Sequence, residues 1–145
     1  SWREGLRQTD HRVSGGESTG TVVAWTGAGL CGAAVGDSRA WLFENGSLVD
    51  LTASAIRKPL LGSGEARPIG FSHPPSAGIL LVATDGFCNY VRRDILSREI
   101  LWIDFAVLAH KLVEMVRLPS GELWDDVGIV VCRPRRKSQN RRIYN

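Results

Sequence analysis

The chain has 145 residues, of which 43% are hydrophobic and 23% are charged, and this balance excludes an intrinsically disordered protein. Its formal net charge of +3 is uneven: residues 133–145 hold six basic and no acidic residues, whereas residues 1–132 hold 12 basic and 15 acidic residues. The sequence therefore predicts a mildly acidic globular domain over residues 1–132 and a basic tail over residues 133–145. A solvated terminus is favoured over an arm that binds nucleic acid or anionic lipid, because the tail has no aromatic residue except Tyr144 and no amphipathic period.

The cysteines and the lengths of the apolar runs indicate a cytoplasmic protein. Cys31, Cys88 and Cys132 are far apart and lie in apolar contexts, which favours reduced core thiols over disulfides or a zinc site. No apolar run is long enough to cross a membrane, and no signal peptide is evident. The sequence begins with Ser1 and its single methionine is Met115, which indicates a processed chain or a fragment.

The first part of the chain predicts the end of a helix followed by four strands. Residues 1–8 are expected to be helical, with Trp2 and Leu6 on one apolar stripe, and the turn-rich residues 9–19 are expected to form a loop. Apolar and β-branched runs predict strands at residues 21–25, 30–35, 39–43 and 47–51. Asn45-Gly46 is typical of a type I′ turn between the last two. We expect the four strands to form one antiparallel meander.

The second part predicts a strand, a long helix and a last strand. The polar composition of residues 52–76 indicates a connecting segment with room for one short element. The apolar residues 78–83 and 127–132 predict buried strands. Residues 94–117 carry apolar side chains at spacings of three and four, which predicts one helix packed on the sheet. That stripe consists of Leu101, Phe105, Leu108, Leu112 and Met115. The order of elements predicts an α+β fold with mostly antiparallel strands.

Acidic residues flank three of the predicted strands. Asp37 follows the strand at 30–35, Asp85 follows the strand at 78–83, and Asp125 and Asp126 precede the last strand. If these strand ends meet, the carboxylates repel one another unless they are protonated or bridged by cations, and Mg²⁺ or Mn²⁺ suits such an all-oxygen site. Taken singly, each residue is a weak signal, because Asp-Gly after a strand is usually a turn and Asp126 can equally be a solvated charge. We expect Asp85 and Asp125 to lie within about 10 Å of each other, as ligands of one metal pair must.

Four segments in chain order resemble the PPM (type 2C) metal-dependent protein serine/threonine phosphatases: GESTGTVVAW, LCGAAVGDSRAWLFENGSLVDLT, GILLVATDGFCNYV and WDDVGIVVC. The resemblance implies part of an α-β-β-α sandwich that hydrolyses phosphoserine or phosphothreonine in proteins with two Mn²⁺ or Mg²⁺ ions and a third, weaker one. By position, Asp85 is similar to the family's metal-bridging aspartate and Asp125 to the last ligand of its two-metal centre. Asp37 is similar to the aspartate that holds the third metal.

The resemblance also implies supporting roles, with no catalytic residue beyond the metal ligands. Gly86 and Ser38 are similar to structural residues of the family's turns, Arg39 to an arginine that braces the Asp37 turn, and Asp126 occupies the place of an asparagine. The family's upstream acidic ligand, its D-G-H-G motif and its phosphate-binding arginine have no counterpart here. We therefore expect a partial catalytic domain that lacks the N-terminal strands, and expect this chain alone to be inactive or nearly so.

The implied partners are phosphorylated protein substrates and a cognate serine/threonine kinase, with no membrane. The alternative is a catalytically incomplete pseudophosphatase or regulatory binding module of the same fold. Retention of Asp37, Asp85 and Asp125 disfavours that alternative, because a binding module has no need for clustered like charges.

Overall fold

The computed structural model describes residues 1–134, so all of the predicted basic tail except Arg133 and Pro134 lies outside the described residues. The strands follow the β-branched and apolar runs of the sequence. The elements in chain order are α1 (Trp2–Arg12), β1 (Gly20–Thr26), β2 (Gly29–Val35), β3 (Arg39–Glu44), β4 (Ser47–Asp50), β5 (Ile69–His73), β6 (Ile79–Ala83), α2 (Asp85–Cys88), α3 (Arg93–Glu99), α4 (Leu108–Glu114) and β7 (Ile129–Cys132). The first helix runs four residues beyond its predicted end, and β5 is the short element in the predicted connecting segment.

The strands form two antiparallel sheets, so the predicted α+β fold with antiparallel strands is confirmed. One sheet has the order β1-β2-β5 and the other the order β4-β3-β6-β7. The predicted four-stranded meander is wrong, because β2 pairs with β5 and β3 pairs with β6, so the two hairpins belong to different sheets. The chain changes sheets at Gly36, whose φ of 94° favours glycine. The Gly36 N–H donates a hydrogen bond to the Ile56 carbonyl oxygen at 2.8 Å instead of continuing the ladder.

Side-chain alternation along the strands builds the layers of an α-β-β-α sandwich. Leu30 of β2 and Leu42 of β3 are buried in one cluster between the two sheets. The neighbours of Leu42 on β3, Trp41 and Phe43, face the other way and pack against the helices. These helices cover the outer face of the four-stranded sheet, while Leu6 of α1 packs on the three-stranded sheet.

The predicted single helix over residues 94–117 is wrong, since α3 ends at Glu99 and α4 begins only at Leu108. The Asp104 carboxylate accepts a hydrogen bond from the Ala106 N–H at 2.8 Å, a local turn that competes with the helix. The predicted stripe nevertheless packs on the sheet in large part, with Leu108 and Leu112 fully buried and Phe105 and Met115 half-buried. Leu101 is the exception, because it is 49% exposed.

Truncation of the helical stripe should show this difference in burial. Leu112→Ala removes a fully buried side chain and should lower the free energy of unfolding by about 2–5 kcal/mol. Leu101→Ala, the matched control at an exposed position, should change it by no more than about 0.5 kcal/mol. Urea denaturation followed by circular dichroism measures both. Equal losses in the two variants would contradict the packing described above.

The cysteines are placed differently from one another. Only Cys88 is buried, Cys31 is half-buried and Cys132 is exposed, and none of the three forms a disulfide. The prediction of core thiols therefore holds for Cys88. Burial raises the pKa of the Cys88 thiol to about 12, so this thiol stays protonated at neutral pH. Among the described helices, none has the length and apolar character needed to span a bilayer.

Candidate functional site

The pairing of β6 with β7 brings together the two segments that carry Asp85 and Asp125. The antiparallel register places Ala83, the last residue of β6, opposite Ile129, the first residue of β7. The chain leaving β6 therefore runs beside the chain entering β7. The Thr84 N–H donates to the Gly128 carbonyl oxygen at 3.0 Å, and the Gly128 N–H donates to the Thr84 hydroxyl oxygen at 2.9 Å. This clamp fixes the two segments just outside the ladder.

Gly86 allows the chain at Asp125 and Asp126 to approach it more closely than a residue with a Cβ atom would. A Cβ atom at position 86 would overlap the Asp126 carbonyl oxygen and would lie 3.2 Å from the Asp125 Cβ. Because consecutive Cα atoms are separated by about 3.8 Å, the Asp85 Cα lies within about 9 Å of the Asp125 Cβ. The two aspartate side chains therefore project from neighbouring points of one rim of the four-stranded sheet.

Each of these carboxylates is held by one local hydrogen bond. The half-buried Asp85 accepts a hydrogen bond at Oδ1 from the Gly86 N–H at 3.0 Å. The exposed Asp125 accepts one at Oδ1 from the Asp126 N–H at 2.8 Å. Within residues 1–134 neither carboxylate forms an ion pair, so the remaining oxygens can serve a ligand.

The donor set fits a hard divalent cation but forms only part of its coordination shell. Carboxylate oxygens are the ligands that Mg²⁺ and Mn²⁺ prefer. In the described part of the chain, however, no group of three or more His, Cys, Asp or Glu side chains could hold a metal ion. Asp85 and Asp125 can therefore contribute ligands without completing a site on their own.

Asp37 lies in the link between β2 and β3, and the antiparallel pairing of Arg39 with Ala83 places this link at the same end of the four-stranded sheet as Asp85. Oδ2 of Asp37 accepts a hydrogen bond from Nη2 of Arg57 at 2.9 Å. The Arg57 side chain is 72% exposed, so this salt bridge is solvated and weak. The predicted role of Asp37 as a ligand of a third metal stays a prediction, since in this structure its carboxylate is paired with the Arg57 guanidinium.

Two of the predicted supporting residues, Ser38 and Arg39, form hydrogen bonds at turns. Ser38 stabilises the Asp37 turn, whereas Arg39 contacts the turn after β4. The Ser38 and Thr19 hydroxyl oxygens are 2.8 Å apart, which ties the Asp37 turn to the start of β1. A Cβ atom at Gly36 would lie 2.6 Å from Cγ2 of Thr19, so the close packing of Thr19 against this turn requires glycine at position 36. Nη1 of Arg39 donates to the Thr52 carbonyl oxygen at 3.0 Å and so braces the chain just beyond β4.

Sequence reasoning missed the role of Asp10, which was assigned to a loop and lies in α1. The Asp10 side chain is buried and accepts three backbone hydrogen bonds, from Gly62 at 2.7 Å, Gly64 at 3.1 Å and Ala66 at 2.9 Å. Burial by itself would raise the pKa of this carboxyl, but the three N–H donors outweigh it and the pKa is lowered. Asp10 therefore fastens the segment before β5 to α1.

Protonation of Asp10 at low pH should weaken its hydrogen bonds to the segment before β5. Since the pKa of Asp10 is lower in the folded than in the unfolded state, its contribution to stability is complete above the unfolded value of about 4 and is lost as the pH falls through the folded value. Asp10→Asn should therefore lower the urea midpoint at pH 7 and flatten its decline below pH 4. The exposed Glu17→Gln is the control and should leave the profile unchanged. Parallel profiles for wild type and Asp10→Asn would contradict this assignment.

Comparison with known proteins identifies the fold. No protein-family model matches the sequence, and no curated protein sequence matches it. The structure of the Mycobacterium tuberculosis serine/threonine phosphatase PstP/Ppp superposes with a TM-score of 0.72 at 21% identity, over 89% of this chain and 67% of that one. The chain has the fold of this serine/threonine phosphatase. The resemblance noted in the four sequence motifs is thereby confirmed at the level of the fold.

Other solved structures agree with this serine/threonine phosphatase fold. PppA, a regulatory component of T6SS in Pseudomonas aeruginosa, gives a TM-score of 0.65 at 18% identity, over 78% of this chain and 60% of that one. The phosphatase domain of the Bacillus subtilis cell fate determinant SpoIIE gives 0.63 at 20% identity, over 83% and 58%. The chain thus spans 58–67% of the lengths of these three structures. The catalytic domain of PstP has also been solved in complex with two manganese ions.

Proposed function

We propose that this protein is a metal-dependent protein serine/threonine phosphatase in which Asp85 and Asp125 bind Mn²⁺ or Mg²⁺. The observation that supports the proposal is the close approach at Gly86 between the Asp85 and Asp125 segments, at one rim of a phosphatase fold. A pair of such cations, when bound, activates a water molecule and neutralises charge on the phosphoryl group.

The surroundings of the two carboxylates suit a substrate that is itself a protein. Within residues 1–134, Asp125 is exposed and Asp85 is half-buried, so this part of the rim opens to solvent. A phosphorylated side chain on a large partner can reach such a rim. The backbone hydrogen bonds from Gly86 and Asp126 fix one oxygen of each carboxylate and so reduce the freedom lost on metal binding.

For Asp37 we propose the third, weaker cation site. Arg57 now neutralises this carboxylate, but a salt bridge with so exposed an arginine contributes only about 0–1 kcal/mol. Breaking this salt bridge when a divalent cation binds Asp37 would therefore cost little free energy. The site would be occupied last, because the cation competes with the guanidinium.

A second function, that of a non-catalytic binding module, has one observation in its favour. Residues 1–134 contain no group of three metal-binding side chains, so the other ligands of a two-metal centre would come from protein outside these residues. A pseudophosphatase would release no phosphate, whether or not it binds Mn²⁺. Calorimetric titration with MnCl₂ and an assay of phosphate release together separate the two functions.

We also propose a cytoplasmic location and a signalling role opposite a serine/threonine kinase. The three free cysteines support the location, since extracellular domains commonly oxidise such thiols to disulfides. The signalling role rests on the proposed activity, because a phosphoprotein phosphatase needs a kinase to supply its substrate.

Phosphate release tests the proposed activity. The full-length protein should hydrolyse a phosphothreonine peptide and p-nitrophenyl phosphate in MnCl₂, and chelation with EDTA should abolish both activities. Residues 1–145 alone should be inactive or nearly so, because they supply an incomplete ligand set. A folded full-length protein that binds Mn²⁺ but hydrolyses neither substrate would overturn the proposed function. Equal turnover by the 145-residue chain would show that its own carboxylates form a complete site.

A further inference from the structure

An exposed pair of stacked aromatic rings lies beside the candidate metal ligands. The Tyr90 and Trp124 rings have centroids 6.0 Å apart and are inclined by only 13°. Tyr90 is 43% exposed and Trp124 is 64% exposed, and neither belongs to a buried core cluster of the described residues. Aromatic side chains of this size usually bury most of their surface. Within residues 1–134, the outward faces of this pair are therefore exposed and can receive a ligand.

Chain connectivity fixes the position of this aromatic pair relative to the site. Trp124 immediately precedes Asp125, and Tyr90 follows the short helix α2 that begins at Asp85. The same two segments that bring the carboxylates together thus bring the two rings together. A substrate bound at the carboxylates would therefore lie close to Trp124.

Charge selects the ligand that this surface suits. Glu122 and Asp126, two residues before and two residues after Trp124 in the sequence, are exposed and form no ion pair within residues 1–134. An acidic side chain would be repelled here, and an aliphatic one would gain nothing from the carboxylates. A guanidinium interacts favourably with the rings and with the carboxylates, because it stacks on aromatic faces and donates planar hydrogen bonds to carboxylates.

We propose that Tyr90 and Trp124 determine substrate specificity by receiving an arginine side chain next to the phosphorylated residue. This inference rests on the proposed phosphatase function. An extended peptide advances about 3.3–3.6 Å per residue, so an arginine one or two residues from the phosphorylated side chain reaches the neighbourhood of Trp124. The protein would then act preferentially on phosphorylation sites with a nearby arginine.

Peptide binding tests the specificity directly. Fluorescein-labelled peptides would carry a non-hydrolysable phosphonate analogue of phosphothreonine, with arginine, lysine or norleucine one or two residues away on either side. In fluorescence anisotropy with MnCl₂, the full-length protein should bind the best arginine peptide about two- to fivefold more tightly than its norleucine counterpart. Lysine should fall between them, because its ammonium stacks less well than a guanidinium.

Variants separate recognition from a structural role. Tyr90→Leu and Trp124→Leu should bring the arginine-to-norleucine ratio close to one, whereas Tyr90→Phe keeps the stacked ring and should preserve the ratio. Trp102→Leu is the matched control, since Trp102 is an 88% exposed tryptophan in the segment between α3 and α4 and should leave the ratio unchanged. A wild-type protein without preference for arginine would overturn the inference. So would a Tyr90→Leu protein that binds both peptides more weakly by the same factor.

Phosphate release from the matching phosphothreonine peptides distinguishes this inference from the function on which it rests. Binding that prefers arginine without release of phosphate would refute the phosphatase activity and retain the aromatic pair as a recognition surface. Release of phosphate at equal rates from arginine and norleucine peptides, with equal binding, would retain the activity and refute the inference.

Discussion

Replacing Asp85 by asparagine should lower the kcat/KM of the full-length protein for a phosphothreonine peptide by more than about 100-fold. Loss of residues that merely orient metal ligands commonly costs about 10- to 100-fold, and loss of a ligand's charge should cost more. Asparagine keeps the size of the side chain and an oxygen that can accept the Gly86 N–H bond, so the fold should survive. Phosphate release in MnCl₂ measures the activity, and calorimetry should show weakened Mn²⁺ binding in the same variant.

The matched control for this experiment is Asp104→Asn. Asp104 lies in the segment between α3 and α4 and accepts a backbone hydrogen bond from Ala106, just as Asp85 accepts one from Gly86. Its replacement should leave both Mn²⁺ affinity and turnover near wild type. If Asp85→Asn retains full activity, Asp85 is not a metal ligand, and the resemblance on which its role rests does not extend to the chemistry.

Strand positions could be predicted from the sequence because their causes are local. Runs of β-branched and apolar residues mark the strands, and Asn45 and Gly46 take the positive φ values, 50° and 75°, that a tight hairpin turn requires. The division into two sheets could not be predicted, because it depends on which distant strand pairs with each hairpin. Gly36 marks the change of sheet, but a Gly-Asp pair in a sequence equally indicates an ordinary turn.

The helical region shows how periodicity can mislead. Apolar residues at spacings of three and four continue from Leu101 to Met115, yet the chain interrupts the helix between α3 and α4. The side chain of Asp104 closes a local turn within that interruption. Because both halves still present an apolar face to the same sheet, the periodic signal persists across the break. The prediction of packing was therefore more reliable than the prediction of continuity.

The sequence predicted only those residues of the candidate site that flank neighbouring strands. Asp85 and Asp125 flank strands that pair, so their approach follows once β6 and β7 are neighbours. Asp10 gave no such signal, because its backbone partners lie more than 50 residues away in an irregular segment. The stacking of Tyr90 on Trp124 likewise depends on the approach of two loops and not on any pattern within either loop.

Gly86→Ala should damage the site without removing any of its ligands. The added methyl group would overlap the Asp126 carbonyl oxygen and crowd the Asp125 Cβ, so the Asp85 and Asp125 segments must move apart. Such overpacking typically costs about 1–3 kcal/mol of stability. A displacement of about 1 Å between catalytic groups can cost about 100-fold in rate. We therefore expect lower stability, weaker Mn²⁺ binding and a loss of kcat/KM comparable to that of Asp85→Asn.

The pattern of losses distinguishes geometry from chemistry. Asp85→Asn should lose Mn²⁺ affinity at nearly wild-type stability, whereas Gly86→Ala should lose both, and high MnCl₂ should partly restore its activity because its carboxylates remain. Gly27→Ala is the matched control, since a Cβ atom at Gly27 meets nothing within 4 Å. Urea denaturation, calorimetry and phosphate release on the three variants provide the comparison. Wild-type stability and Mn²⁺ affinity in Gly86→Ala would show that the close approach at this glycine does not hold the two aspartates at one rim.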